Sequence, residues 1–138
     1  MMPLKTDRPL AFFDIESTGT NVRTDRIIDL AIVKVFSDGH REEHTFRVNP
    51  ERPIPAEASA VHGIYDKDVQ AAPTFKSIAA QVATLFEGCD LGGYNILRFD
   101  IPLLCEEFTR AGTTFVVEGR RVVDPQRIFH QREPRDLT

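Results

Sequence analysis

This chain of 138 residues has no tryptophan and only two cysteines. Cys89 and Cys105 lack the spacing of metal-binding pairs and have apolar neighbours, so we interpret them as reduced core thiols of a cytoplasmic protein. The first residues lack the apolar core of a signal peptide, and no apolar run is long enough to cross a membrane. Without repeats, low-complexity tracts or a linker, residues 1–138 are predicted to form one domain.

An excess of basic charge is also missing, because 21 acidic residues outnumber 17 basic ones and the net charge is −4. This balance argues against indiscriminate binding of nucleic acid. An acidic protein nevertheless binds a polyanion when divalent ions neutralise its site. The arginines near the end of the chain either face a phosphate backbone or form a solvated surface, and they are Arg110, Arg120, Arg121, Arg127, Arg132 and Arg135.

Apolar and β-branched segments predict an antiparallel meander of three strands, at residues 10–15, 27–36 and 41–48, with Asp38-Gly39 as a hairpin turn. Helices and short strands alternate after this meander. The predicted elements are helices at 56–61, 73–86 and 99–111, strands at 89–94, 115–117 and 121–123, and a final turn or helix that carries Ile128 and Phe129. The pattern favours an α/β fold in which helices flank a mixed sheet.

Two carboxylates stand at the end of the first predicted strand. Because side chains alternate along a strand, Asp14 and Glu16 are predicted to point the same way. Their like charges require compensation, and a cluster of oxygen ligands is typical of a Mg²⁺ or Mn²⁺ site. Gly19 allows the backbone to approach a ligand closely.

A second polar group lies between the strand predicted at 89–94 and the helix that follows it. Ligand sites in open α/β sheets form at the carboxyl ends of parallel strands. If this strand lies beside the first one, Asp100 approaches Asp14 and Glu16. The alternative is that Asp100 only stabilises the start of its helix.

Three motifs resemble those of the DnaQ-like (DEDD) 3′–5′ exonucleases. The segment DIESTG at residues 14–19 resembles their first motif, and NILRFD at 95–100 resembles their second. The segment IPAEASAVHGI at 54–64 is similar to the part that lines the nucleotide pocket in that family. This last segment favours the histidine type (DEDDh) and a member similar to DNA polymerase III epsilon, while repair exonucleases and RNA-trimming enzymes share the same motifs.

The resemblance implies a ribonuclease H-like fold and two Mg²⁺ or Mn²⁺ ions held by four carboxylates. It implies that Asp14 contacts both ions, that Glu16 binds one, and that Asp100 holds the second directly or through water. The implied reaction is hydrolysis of the terminal phosphodiester at a 3′ end of single-stranded DNA or RNA, which releases a nucleoside monophosphate. A DNA polymerase or another replication or repair protein is an expected partner.

The substrate-binding residues implied by the resemblance are Ser17, Thr18, Gly19, His62 and Asn95. We expect the first three to contact the terminal nucleotide through backbone or hydroxyl groups. His62 either binds that nucleotide or braces the tight turn at the following glycine. Asn95 either contacts the substrate or only caps its loop.

The third motif of the family, His-x-x-x-x-Asp or Tyr-x-x-x-Asp, is not found. His130 is followed by Asp136, which is one residue too far, and Arg135 stands at the required position. We therefore expect a domain that is incomplete at its C-terminus, lacks the C-terminal helices, and is nearly inactive by itself, since a general base contributes about 10²–10⁴-fold in rate. The alternative is a non-catalytic module that binds nucleic acid or nucleotides and retains the exonuclease fold.

Overall fold

A five-stranded mixed sheet organises the chain in the computed structural model, which describes residues 8–125. Its strands are β1 (Leu10–Ser17), β2 (Ile27–Val35), β3 (Arg41–Arg47), β4 (Asp90–Gly92) and β5 (Val122–Val123). Their order is β3-β2-β1-β4-β5; the first three form an antiparallel meander, and β4 and β5 are parallel to β1. The predicted meander and mixed sheet are confirmed, and β1 occupies the centre because it is apolar on both faces.

Four helices connect or cover these strands, namely α1 (Ala56–His62), α2 (Asp66–Val69), α3 (Phe75–Phe86) and α4 (Ile101–Ala111). The Thr74 hydroxyl accepts a hydrogen bond from the Ser77 backbone N–H, which fixes the start of α3 two residues after the predicted one. Gly112, with a φ of 74°, ends α4 in the left-handed conformation. No helix within residues 8–125 is long and apolar enough to span a bilayer.

The main core lies between one face of the sheet and the helices α3 and α4. Phe13 and Ile15 of β1 point into it, and the Phe13 ring meets the Phe86 ring edge-on at 5.3 Å. Phe75 and Phe108 join α3 to α4 in the same way at 5.2 Å. A smaller cluster of Ile28, Ile54, Ile64 and Val69 holds α1 and α2 against the start of β2.

Two buried carboxylates link separate parts of the fold, and each is paired with arginine. Asp90 at the start of β4 lies 3.3 Å from the Arg8 guanidinium and 3.5 Å from that of Arg121. Glu107 on α4 accepts the backbone N–H of Ile27 at 2.8 Å and pairs with Arg26 at 3.2 Å. These pairs fix the start of β4 and the start of β2.

Some predicted elements are wrong or shifted. Residues 115–117 form no strand, because Phe115 is fixed by ring contacts instead, stacked on Phe108 at 4.7 Å and edge-on to Phe86 at 5.5 Å. The helix predicted at 99–111 begins at Ile101, after a π-helical turn over Ile96–Asp100. The short helix α2 was not predicted, and Ile128 and Phe129 lie outside the described residues.

Candidate functional site

Strand β1 places Asp14 and Glu16 on the sheet face that is turned away from the main core. The alternation along β1 buries Phe13 and Ile15 and leaves Asp14 exposed and Glu16 half-buried. In the register with β2, Asp14 is opposite Ala31, whose small side chain leaves the space beside the carboxylate open. The register shifts immediately after Glu16, so β1 ends in an irregularity at the site.

Asp100 is buried at the end of the π-helical turn, where α4 begins. Burial, then the charge of Asp14 and then that of Glu16 raise the pKa of Asp100 to about 7, and the backbone N–H of Ile15 acts in the opposite direction. The charges of both β1 carboxylates therefore act on Asp100, which follows β4, the parallel neighbour of β1. Its side chain does not cap its own helix.

The pKa of Glu16 is raised as well. Burial is the main cause that raises its pKa, and the charges of Asp14 and Asp29 add to it, while His62 lowers it. Within residues 8–125, neither Asp14, Glu16 nor Asp100 takes part in an ion pair. Within these residues, no ion pair compensates the charges of the three carboxylates.

The chemistry of these donors fits a hard divalent cation such as Mg²⁺ or Mn²⁺, which prefers carboxylate oxygens. In the described part of the chain, however, no three His, Cys, Asp or Glu side chains are close enough to form a ready-made metal-binding group. The type of donor thus suits the ion, whereas the three side chains do not enclose one in the described structure.

Two adjoining clefts lie at the end of β1, and of the three carboxylates Glu16 lines the first of them while Asp14 and Asp100 line neither. The first has a volume of about 220 Å³ and combines the polar side chains of Glu16, Thr20 and His62 with the apolar surface of Ala58, Val61 and Phe99. The second has a volume of about 470 Å³ and is lined by Thr18, Asp25, Pro55 and Glu57. Gly19, Thr20, Ala58 and Val61 border both clefts, which therefore adjoin each other and are together called the groove below.

The loop after β1 uses its hydroxyl groups for its own structure. Ser17 donates to the Gly19 carbonyl at 2.5 Å, and Thr18 donates to the Asp25 carboxylate at 2.7 Å. Thr18 also accepts the Arg26 backbone N–H at 3.0 Å and is buried. Of the three loop residues predicted to bind substrate, Gly19 and Ser17 reach the first cleft, and Thr18 borders the second.

His62 ends α1 with both ring nitrogens engaged. Nδ1 accepts the Ile64 backbone N–H at 3.1 Å, which assigns the proton to Nε2, and Nε2 donates to the Ser17 carbonyl at 3.2 Å. The ring therefore braces the turn at Gly63, whose φ is 75°, and ties α1 to the end of β1. It also lines the first cleft, so only the faces and edges of the ring are left to contact a ligand.

Asn95 is separate from the clefts. It adopts the left-handed conformation with φ 57° and ψ 27°, and its backbone N–H donates to the Asp124 carboxylate at 3.0 Å. Its side chain makes no capping hydrogen bond to the following turn. Asn95 thus shapes the chain between β4 and the π-helical turn, and asparagine suits this because it tolerates a positive φ.

The sequence did not predict the roles of Asp25, which lines the second cleft, or of Glu107, which is buried on α4. Asp25 organises the loop after β1, and no motif or spacing in the sequence indicates this role. Glu107 has a visible signal, because it interrupts the apolar face formed by Leu103, Leu104 and Phe108. A charged residue at such a position indicates a buried ion pair.

Comparison with known proteins gives the family. The RNase_T exonuclease family matches residues 11–129 of the sequence. The chain belongs to this exonuclease family. The match contains β1 with Asp14 and Glu16, the helix α1 with His62, and Asp100, so the family spans every part of the candidate site.

Individual relatives agree with this assignment. An uncharacterized exonuclease, CP81, of Escherichia phage 186 is 42% identical over 83 residues, which are 60% of this chain and 40% of the phage protein. A DNA polymerase III subunit epsilon-like protein of Rhodobacter capsulatus is 33% identical over 106 residues, which are 75% of this chain and 15% of that protein. The chain therefore spans less than half the length of either relative.

Solved structures confirm the fold. E. coli exonuclease I in complex with a dT13 oligonucleotide matches with a TM-score of 0.80 over 92% of this chain and 30% of the other, at 22% identity. A product-bound structure of exonuclease I has the same TM-score and identity. At this level of identity the likeness shows the fold alone, and that fold is the predicted ribonuclease H-like one.

Proposed function

We propose that this chain is the core of a 3′–5′ exonuclease that hydrolyses the terminal phosphodiester of single-stranded DNA or RNA and releases a nucleoside monophosphate. The observation that carries the proposal is the group of Asp14, Glu16 and Asp100, which form no ion pair within residues 8–125 and of which Glu16 lines the first cleft. Carboxylates in this state repel phosphate unless a cation joins them, so a purely structural role does not explain them.

Asp14, Glu16 and Asp100 are the residues that would hold Mg²⁺ or Mn²⁺. A divalent ion bound there supplies a lowered pKa for water and stabilises the negative charge that develops on phosphate oxygens. Asp14 is exposed, while Asp100 is buried and its elevated pKa keeps part of its population protonated near neutral pH. Binding of a divalent ion by all three carboxylates therefore requires Asp100 to lose its proton.

The first cleft suits the terminal nucleotide. Val61 is 85% exposed and lies with Ala58 and Phe99 on the apolar side of the cleft, where a base gains contact with apolar surface. Glu16 and Gly19 also line this cleft, and the backbone of Gly19 suits contact with the sugar. His62 contributes the face of its ring, because both of its nitrogens are already bonded.

We extend this proposal to the substrate and the partners of the whole protein. We propose a single-stranded 3′ end as the substrate, and DNA as the first to test because an epsilon-like protein is among the relatives. A DNA polymerase or another replication or repair protein is the proposed partner. We also propose that residues 1–138 are one domain and that, without a third motif, they have little nuclease activity.

The proposal is tested by binding before it is tested by cleavage. Thymidine 5′-monophosphate, a product of the proposed reaction, is titrated into the ¹⁵N-labelled chain with and without MgCl₂. We expect Mg²⁺-dependent shifts of backbone amides at residues 16–20 and 58–62, and we expect Asp14→Ala to abolish the dependence on Mg²⁺. Binding that is the same with and without Mg²⁺ and is unaffected by Asp14→Ala would favour the non-catalytic nucleotide-binding module.

Cleavage is measured separately on a 5′-labelled single-stranded DNA oligonucleotide with Mg²⁺ or Mn²⁺. We expect at most slow shortening from the 3′ end, abolished by Asp14→Ala. Rapid shortening that depends on Asp14 would support the exonuclease and refute the expectation of low activity. Asp29→Asn serves as the matched control, because Asp29 is opposite Glu16 on the same face but is paired with Arg47 at 3.0 Å.

A further inference from the structure

The loop between β1 and β2 forms the wall that the two clefts share. Gly19 and Thr20 line both clefts, and Thr18 and Asp25 line the larger one. Any ligand in the groove therefore lies against this loop, and the shape of the groove depends on how firmly the loop is held.

The carboxylate of Asp25 is the centre of the loop. One oxygen, Oδ1, accepts the Thr18 hydroxyl at 2.7 Å, and the other, Oδ2, accepts the Asn21 backbone N–H at 2.8 Å. The Thr18 hydroxyl in turn accepts the Arg26 backbone N–H at 3.0 Å. A single side chain thus closes the loop by bonding to residues seven and four positions earlier in the sequence.

Gly19 shows how closely this carboxylate lies against the wall. A Cβ atom at Gly19 would be 2.5 Å from Oδ2 of Asp25, which is too close for any side chain. From outside, Arg110 donates to the backbone carbonyls of Arg23 at 3.1 Å and Asp25 at 3.2 Å, and Arg52 donates to that of Thr24. The loop backbone is therefore fixed from both sides.

We propose that Asp25 is a positioning residue for nucleotide binding. Through Thr18 and Asn21 it holds Gly19 and Thr20 in the conformation that the nucleotide meets, and it does so without contacting the scissile phosphate. A wall that is already ordered saves the free energy that binding would otherwise spend on ordering it. This inference rests on the proposed function, since it assumes that the groove receives a nucleotide.

The test measures the dissociation constant of thymidine 5′-monophosphate in MgCl₂ for the wild-type chain and two variants. Asp25→Ala removes both hydrogen bonds and is expected to weaken binding at least fivefold. Asp25→Asn retains one acceptor oxygen for Thr18, but its amide nitrogen cannot accept from Asn21, so it is expected to restore part of the affinity. Equal affinity of all three chains would overturn the proposal.

Asp38→Ala is the matched control. Asp38 also holds a turn by accepting a backbone N–H, that of His40 at 2.9 Å, but it lies in the hairpin between β2 and β3, away from the groove. It should leave the dissociation constant unchanged within twofold. A loss of affinity in Asp38→Ala equal to that in Asp25→Ala would mean that general destabilisation, and not the wall, weakens binding, and this would also overturn the proposal.

The placement of the carboxylate is tested without any ligand by combining Gly19→Ala with Asp25→Ala. Gly19→Ala should lower the melting temperature more in the wild-type background than in Asp25→Ala, because truncation of Asp25 removes the clash. Additive changes would refute the close packing and with it the proposal. If the wild-type chain binds no nucleotide, the proposed function and this inference both fail; if it binds and Asp25→Ala binds equally well, only the inference fails.

Discussion

Two groups of carboxylates in this fold have opposite electrostatic surroundings. Asp90 and Glu107, which link parts of the structure, each lie within 3.5 Å of a guanidinium group and accept a backbone N–H. Asp14, Glu16 and Asp100 form no ion pair within residues 8–125, and the charges of Asp14 and Glu16 add to burial in raising the pKa of Asp100. Among the described residues, arginine therefore pairs with the structural carboxylates and with none of the three that we propose to bind a cation.

Removal of a structural carboxylate should have the largest effect. Glu107→Ala leaves the Arg26 guanidinium and the Ile27 N–H without their buried partner, and we expect a loss of about 3–5 kcal/mol in the free energy of unfolding. Urea denaturation measures it. The neighbouring Glu106→Ala is the control: its carboxylate is only 3.9 Å from Arg110 and half-exposed, so it should cost less than about 1 kcal/mol. Similar losses for both variants would remove the distinction drawn above.

Removal of a carboxylate from the candidate site should change the free energy of unfolding in the opposite direction. The pKa of Asp100 in the folded chain, about 7, is above its ordinary value of 3.8, so the stability that its protonated form contributes is complete below pH 4 and is lost as the pH rises through 7. In metal-free buffer at pH 8, Asp100→Asn should stabilise the chain by roughly 2–4 kcal/mol, and the gain should vanish near pH 4.

Urea denaturation in EDTA at several pH values measures this effect. Glu118→Gln removes the same charge at an exposed position and should leave the profile as in the wild type. A destabilised Asp100→Asn variant at pH 8 would mean that the charge of Asp100 is compensated within the protein.

Addition of Mg²⁺ should reduce the destabilisation of the folded chain that Asp14, Glu16 and Asp100 cause. At a concentration ten times its dissociation constant, an ion that binds only the folded chain adds about 1.4 kcal/mol of stability. We expect MgCl₂ to raise the melting temperature of the wild-type chain more than NaCl of equal ionic strength does. Asp14→Asn should lose this rise, and Asp29→Asn should keep it; a rise of equal size in both variants would place the ion elsewhere.

The smallest effect is expected at the rim of a structural pair. The Arg121 side chain is 60% exposed, although it lies 3.5 Å from Asp90, and solvent screens the interaction. Arg121→Ala should lower the free energy of unfolding by no more than about 1 kcal/mol, because Arg8 and the Arg121 backbone N–H continue to satisfy Asp90. A loss of several kcal/mol would show that the two arginines act as one unit.

The comparison also explains what could be read from the sequence. Alternation along β1 and the turn at Asp38-Gly39 are local signals, and they predicted the meander and the common face of Asp14 and Glu16. The segment at 115–117 was predicted wrongly because its conformation depends on ring contacts with Phe86 and Phe108, which are distant in sequence. The pairing of Glu107 with Arg26 and the role of Asp25 in its loop depend on tertiary structure in the same way.

The π-helical turn at Ile96–Asp100 gives the site a vulnerability that residue identity does not reveal. The wider turn accommodates one more residue than an α-helical turn, and this sets the direction in which Asp100 leaves the helix. Deletion of a single residue between Ile96 and Phe99 would regularise the helix and rotate Asp100 by about 100° around its axis. All three carboxylates would remain in the sequence, yet Asp100 would point away from Asp14 and Glu16, so a homologue with that deletion would keep the acidic residues and still have lost the site.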